Sequence, residues 1–211
     1  MRRSLTSPQK KGSSARLRAG AAILPMVACL ICLLTAMAAL AVDVSAAYRA
    51  RARNVQTASL ASEATMLSLN NIKYSADPAG TAWQLVDAQL ARDGFSGKAT
   101  FYYWEAPESA TGAQQRVGGM YLELETEQGT VFSSLLGSTG IVVSNETAWT
   151  TNPYSDTVVY RPSGVVNREY TREYEDGTAK GAAARKSLSK TSYSGCPAAL
   201  RDALESALAA L

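Results

Sequence analysis

The sequence predicts an α+β protein built on a long N-terminal helix. A transmembrane helix continues into an amphipathic stem, followed by a small, mainly antiparallel β domain with a short helix and a C-terminal helix. Three observations carry this prediction. An uncharged apolar run lies close to the N-terminus, small and apolar residues recur at helical spacing for roughly 30 residues beyond it, and strand-like segments dominate from Lys98 onward.

The first segment, residues 1–18, holds Arg2, Arg3, Lys10, Lys11, Arg16 and Arg18 and no acidic residue. Its charge is therefore +6, and the overall +3 leaves −3 for the remainder. The basic character belongs to the tail, which argues against nucleic acid as a partner of the folded part. Residues 19–42 carry no charge and, as a helix, would extend about 36 Å against about 30 Å of hydrocarbon. Pro25 sits early in this run, where its effect is at most a kink. Six basic residues before the run, against Arg49, Arg51 and Arg53 after it, place the N-terminus in the cytoplasm and the rest of the chain outside it. A cleaved secretory signal is the competing reading, because Ala39-Leu40-Ala41 resembles a cleavage site, but the run is about twice the usual apolar length of such signals. Small residues along the run, Gly20, Ala28, Thr35, Ala38 and Ala39, would let other helices approach closely.

Residues 43–73 form the expected stem, with Val44, Ala47, Tyr48, Ala52, Val55, Ala58, Ala61, Met66 and Leu69 at helical spacing. Running to Ile72 it would complete a helix of about 54 residues, which requires partner helices or a domain lying along it. Ser75 to Gly80 breaks the helix, and Thr81 is expected to cap a short one over residues 82–92 with Trp83, Val86 and Leu90 on one face. Strands are expected over residues 99–104, 119–127, 130–136, 140–144, 157–160 and 165–174, within a domain spanning 80–174. Gln128-Gly129 is the expected turn between the second and third. Glu123, Glu125 and Glu127 alternate onto one face of the second strand and read as a solvated face. Arg168, Glu169, Arg172 and Glu173 suit an exposed strand with charge pairs. Residues 175–194, rich in Gly, Ala, Ser and Lys, read as a flexible linker. Residues 195–211 form a final helix, opened by Pro197, with Leu200, Leu204, Leu208 and Leu211 on one face.

The chain has no His, which removes Ser-His-Asp and Cys-His catalysis and the commonest metal ligand. Cys29 and Cys32 lie in the apolar run and read as small core thiols; Cys196 is alone in the outer part, where no internal disulfide can form. No catalytic constellation, cofactor motif or metal set is recognised, so the expectation is a protein that is not an enzyme.

The order Gly20-Ala21-Ala22, a span ending Ala-Leu-Ala-Val-Asp-Val (residues 39–44), Tyr48, the arginines at 49, 51 and 53, and Val55-Gln56-Thr57-Ala58 resembles the N-terminal module of TadE/TadG-like proteins of the tight-adherence (Flp) pilus assembly apparatus. The resemblance covers about a third of the chain, with Asp43, Tyr48, Arg53 and Gln56 at the family's motif positions. It implies a membrane-anchored, pilin-like or assembly component at the bacterial cell surface, with other pilus subunits as partners through the stem and a possible oligomer. In the processed branch a peptidase cuts after a Gly, with Glu five residues on. Cleavage between Gly20 and Ala21 would put Pro25 there instead, so the uncleaved TadG-like branch fits better. The alternative is an anchored ligand-binding or sensory module that uses its Tyr- and Trp-containing strands.

Overall fold

The computed structural model describes residues 13–106, 115–131, 140–151, 154–155, 167–189 and 192–210. Helix α1 runs over Ser13–Leu67, 55 residues, or about 82 Å at the standard rise. Pro25 lies inside it without ending it. The helix was expected to continue unbroken to Ile72; instead it breaks at Ser68, and α2 resumes over Leu69–Lys73. The break turns Ile72, which is fully buried, into the core of the domain.

Helix α3 spans Pro78–Arg92. It begins earlier than expected and is capped by Asp77 rather than Thr81: the Asp77 carboxylate accepts from the Gly80 N–H at 3.1 Å. Pro78 at the first helical position needs no N–H there, so the Pro that ends the preceding segment also starts this one. Gly80 is required by the cap, since a Cβ would stand 2.5 Å from an Asp77 carboxylate oxygen.

Seven strands follow: β1 Gly97–Glu105, β2 Gln115–Arg116, β3 Gly118–Gln128, β4 Ile141–Thr150, β5 Tyr154–Ser155, β6 Arg168–Glu175 and β7 Thr178–Ser187. Helix α4, Ala198–Ala209, closes the described chain. Pro197 occupies its N-cap rather than its first turn, and Leu211 lies outside the described residues. Strands β4-β3-β1-β6-β7 form one antiparallel sheet in that order, and β2 pairs with β5 separately.

The expected strand at 130–136 lies almost wholly outside the described residues, as does the one at 157–160. Strand β3 instead pairs with β4, with Gln128 opposite Ile141. Residues 175–194 correct the flexible-linker expectation, because they contain β7. Asp176 and Gly177 both have positive φ (48° and 76°), the geometry of a two-residue hairpin between β6 and β7. The Asp-Gly pair signalled this turn. The strand itself escaped notice because nearly all its side chains are small or charged and exposed, which erases the alternation a half-buried strand shows.

The sheet is covered on both faces. On one, Ala99, Phe101 and Tyr103 of β1, Met120, Leu122 and Leu124 of β3, and Tyr170 and Tyr174 of β6 pack with Trp83, Val86 and Leu90 of α3 and with Ala58 and Ala61 of α1. Trp83 stacks on Tyr170 with ring centroids 5.3 Å apart. On the other face, Trp104 and Tyr121 meet Leu200 and Leu204 of α4. Gly119 lets α4 approach, because a Cβ there would stand 2.7 Å from a Leu200 methyl.

Candidate functional site

Helix α1 is the element whose placement bears on function, and its two halves differ in surroundings. From Ile23 to Val42 every large apolar side chain is exposed. Beyond Val42 the buried positions are Asp43, Ala50, Asn54, Thr57, Ala58, Ala61 and Thr65, a stripe of small and polar side chains at helical spacing. Small residues allow the helix to lie close against α3, β3 and β4. The polar ones are then each met by a partner, as burial demands.

Asp43 is 3% exposed, and its carboxylate accepts a hydrogen bond from the Val131 N–H at 2.8 Å. The Asn54 amide donates to the Val143 carbonyl at 3.3 Å and accepts from the Thr126 hydroxyl at 3.0 Å. The Trp149 indole donates to the Thr65 hydroxyl at 3.0 Å. The helix is thus tied at Asp43, Asn54 and Thr65 to β3, β4 and the chain just past β3, and the stem is part of the domain.

The sequence-predicted positions scatter along this helix. Ala28, Thr35 and Ala38 are exposed and Ala39 half-exposed; Thr35 turns its hydroxyl back to the Cys32 carbonyl at 2.9 Å. Gly20 and Ala21 lie in α1, but their side-chain surroundings are outside the described set. Tyr48 is 70% exposed and joins none of the other motif positions. Arg53 and Gln56 come together in a cleft of about 560 Å³ between α1 and the end of the sheet. Arg49, Asn54, Asp93, Phe95, Thr126 and Asp176 help to line it, so cations from the helix face carboxylates from two turns. The expectation missed Asn54 and Thr65, although a polar residue on an otherwise small-residue stripe signals a buried hydrogen bond.

Other expected features also resolve. Arg168 and Arg172 do not pair along their strand; they point to α3, Arg168 to Asp77 at 2.6 Å and Arg172 to both oxygens of Asp87 at 2.8 Å. Tyr174 donates to the same Asp87, and burial followed by that bond pushes its phenol above the usual range. Glu169 and Glu173 face the other side, where Glu169 lies 3.5 Å from Lys186. Glu123 and Glu125 are half-buried on that same face, with Glu146 opposite Glu123 and Lys98 3.0 Å from Glu125. Burial, with Glu125 and Glu146 nearby, raises the Glu123 carboxyl above the ordinary carboxylate range. Among the described residues no group of His, Cys, Asp or Glu is placed to hold a metal ion. Tyr103, Trp104, Tyr170 and Tyr174 are buried, so these strand aromatics build the core rather than an open ligand patch. Burial pushes the Cys196 thiol up to about 11, well away from the range of reactive thiols.

Residues 20–64 match the Tad family model, described as "Putative Flp pilus-assembly TadE/G-like". The N-terminal module is TadE/G-like. The matched stretch begins at Gly20 and ends one residue before Thr65, so it takes in the uncovered half of α1 and most of the half built into the domain. No curated protein and no solved structure matches the chain. The match, together with one helix long and apolar enough to cross a membrane, supports a pilus-associated membrane component.

Proposed function

We propose that this chain is a non-enzymatic, single-pass membrane protein that serves as a structural or assembly component of a Tad/Flp-type pilus apparatus. The observation that carries this reading is the coincidence of the family match with α1. The matched residues form one helix that is bare and apolar to Val42 and fixed to its own domain beyond it. The charge asymmetry around the span supports an N-terminus in the cytoplasm and an α+β domain outside the membrane. Partner subunits pack on the span through Gly20, Ala28, Thr35, Ala38 and Ala39, where small side chains admit a neighbouring helix. The stem offers them less, since its small-residue stripe is already occupied by the sheet and α3. Pro25, five residues beyond Gly20, favours a mature chain that keeps the residues before Gly20.

Cross-linking from the exposed Cys32 in cells that make the whole apparatus tests the assembly role. A discrete adduct with another apparatus subunit is expected, and recovery of monomer alone would contradict it. Mass spectrometry of the mature N-terminus tests the anchor: a start at Ala21 would indicate a processed, pilin-like subunit. A second reading, an anchored ligand-binding or sensory module, draws on the cleft beside Arg49 and Arg53, whose volume of about 560 Å³ lies in the range of small-molecule sites. A thermal-shift screen of small anions against the full chain in detergent distinguishes the two, because only the second reading requires a ligand that stabilises the protein through this cleft.

A further inference from the structure

From the position of the β3–β4 end of the sheet we infer that the outer domain rests on the membrane surface and contacts lipid there directly. The proposal builds on the reading of α1 as a membrane span. Asp43 is the first charged residue after the apolar run and so marks where α1 leaves the hydrocarbon. The Val131 N–H bonds to it at 2.8 Å, which holds the chain three residues past the end of β3 at that level. Farther out, Thr126 bonds to Asn54 at 3.0 Å. From Asn54 back to Asp43 the helix covers about 16 Å, and extended chain from Thr126 to Val131 covers about the same distance. The chain leaving β3 therefore descends beside the helix as far as Asp43.

The apolar residues are distributed accordingly. Past Tyr74, the large apolar side chains that the described residues expose are Val131, Ile141 and Val142, at 56%, 42% and 64%. All three lie at this one end of the sheet, Ile141 and Val142 pairing with Gln128 and Glu127 just beyond the Val143 carbonyl that Asn54 holds. In water they would be an unexplained apolar patch. Val131, at the level of Asp43, adjoins a headgroup layer about 5–7 Å thick, taken as half the difference between total and hydrocarbon thickness. Ile141 and Val142, two residues and one residue short of Val143, stand about 10 and 13 Å past Asp43, just over the outer edge of that layer. Tyr48, 70% exposed and about 7 Å past Asp43, stands at the outer edge of that layer, where aromatic side chains anchor. Arg49, Arg51 and Arg53 follow about 9–15 Å past Asp43, beyond the headgroups but close enough for the nearer ones to feel the charge of anionic lipid. Val131 lies deepest, with Ile141 and then Val142 nearer the water. The bilayer that takes the bare half of α1 thus also meets the domain at Val131, beneath the bare end of the sheet, and orients the domain as well as tethering it.

The test uses the full chain with Cys29, Cys32 and Cys196 replaced by Ala, reconstituted in vesicles of phosphatidylethanolamine and phosphatidylglycerol. A single environment-sensitive fluorophore is placed at Thr35→Cys, Val131→Cys, Val142→Cys or Ser192→Cys, and its quenching by lipids carrying a nitroxide is read. Thr35 reports the span, and Ser192 the far end of the domain. The expected order of quenching is Thr35, then Val131, then Val142, with Ser192 unchanged and the Val131 label dimmed about twofold or more, as for a group within the headgroup boundary. If Thr35 is quenched while Val131 and Val142 behave like Ser192, the surface contact is overturned and the span stands. If Thr35 itself is unquenched, the span and the contact fall together. Should Val131→Cys melt early, Val142→Cys decides alone.

Discussion

Between Ile23 and Val42 helix α1 exposes Leu, Ile, Met and Val on all sides, whereas between Asp43 and Leu67 it buries a narrow stripe of Ala, Asn and Thr. The backbone is the same throughout. A helix that is apolar all round has no polar face to give to water and needs an apolar solvent, while one with a single stripe needs a single partner. The second half finds that partner in its own chain, because small side chains let a sheet lie close and Asn54 and Thr65 exchange hydrogen bonds with it. The first half finds none among the described residues, and the proposed reading supplies lipid and other helices in that place.

The largest break in this comparison should come from a charge in the bare half. Leu30→Arg, near the middle of the span, costs about 2.5–3.5 kcal/mol of insertion on translocon-based scales. Membrane fractionation should show the variant shifting from the membrane to the soluble or degraded fraction.

The same substitution made in both halves sharpens the contrast. Ala61→Leu, at a site with no exposed surface, should overpack the helix against the sheet and cost about 1–3 kcal/mol. Ala38→Leu, exposed on the span, should leave the unfolding free energy of the domain unchanged while weakening the cross-link from Cys32. Chemical denaturation of both variants in detergent, followed by tryptophan fluorescence, checks the first part. Asn54→Ala removes the donor to the Val143 carbonyl and the acceptor of the Thr126 hydroxyl, a loss of about 1–3 kcal/mol on the same measurement.

The smallest effect is electrostatic and confined to the sheet. The Glu123 carboxyl titrates above its ordinary range because of burial, with the neighbouring Glu125 and Glu146 adding to it. A raised folded-state pKa means stability that is full below the unfolded value and lost as pH rises through the folded one. Glu123→Gln should therefore raise Tm slightly near neutral pH, and the gain should vanish as pH falls below the ordinary carboxylate range. Thermal melts at neutral and acid pH measure the difference.

The span, the α+β class, the central strands and the terminal helix were legible because each rests on a strong local signal: the uncharged run to Val42, the alternation of Met120, Leu122 and Leu124 with Tyr121 and Glu123, the spacing of Leu200 and Leu204. Strand β7 was not, because Ala182, Ala184 and Lys186 give no alternation to read and its pairing with β6 is a tertiary fact. The start of α3 turned on which of two plausible caps won, and Pro78 next to Asp77 decided it. Of the motif positions, Asp43 was named for a resemblance alone. Its bond to Val131, far along the chain, could not be inferred from spacing, nor could the cleft that gathers Arg53 and Gln56.

The central claim is that one rigid helix joins the membrane to the domain without a hinge at its exit. The direct measurement is the distance between spin labels at Thr35→Cys and Ser59→Cys, both exposed, in the full chain with its native cysteines replaced and reconstituted in lipid. An unbroken helix predicts a narrow distribution centred near 36 Å. A broad or clearly shorter distribution would place a hinge between Thr35 and Ser59 and contradict the account.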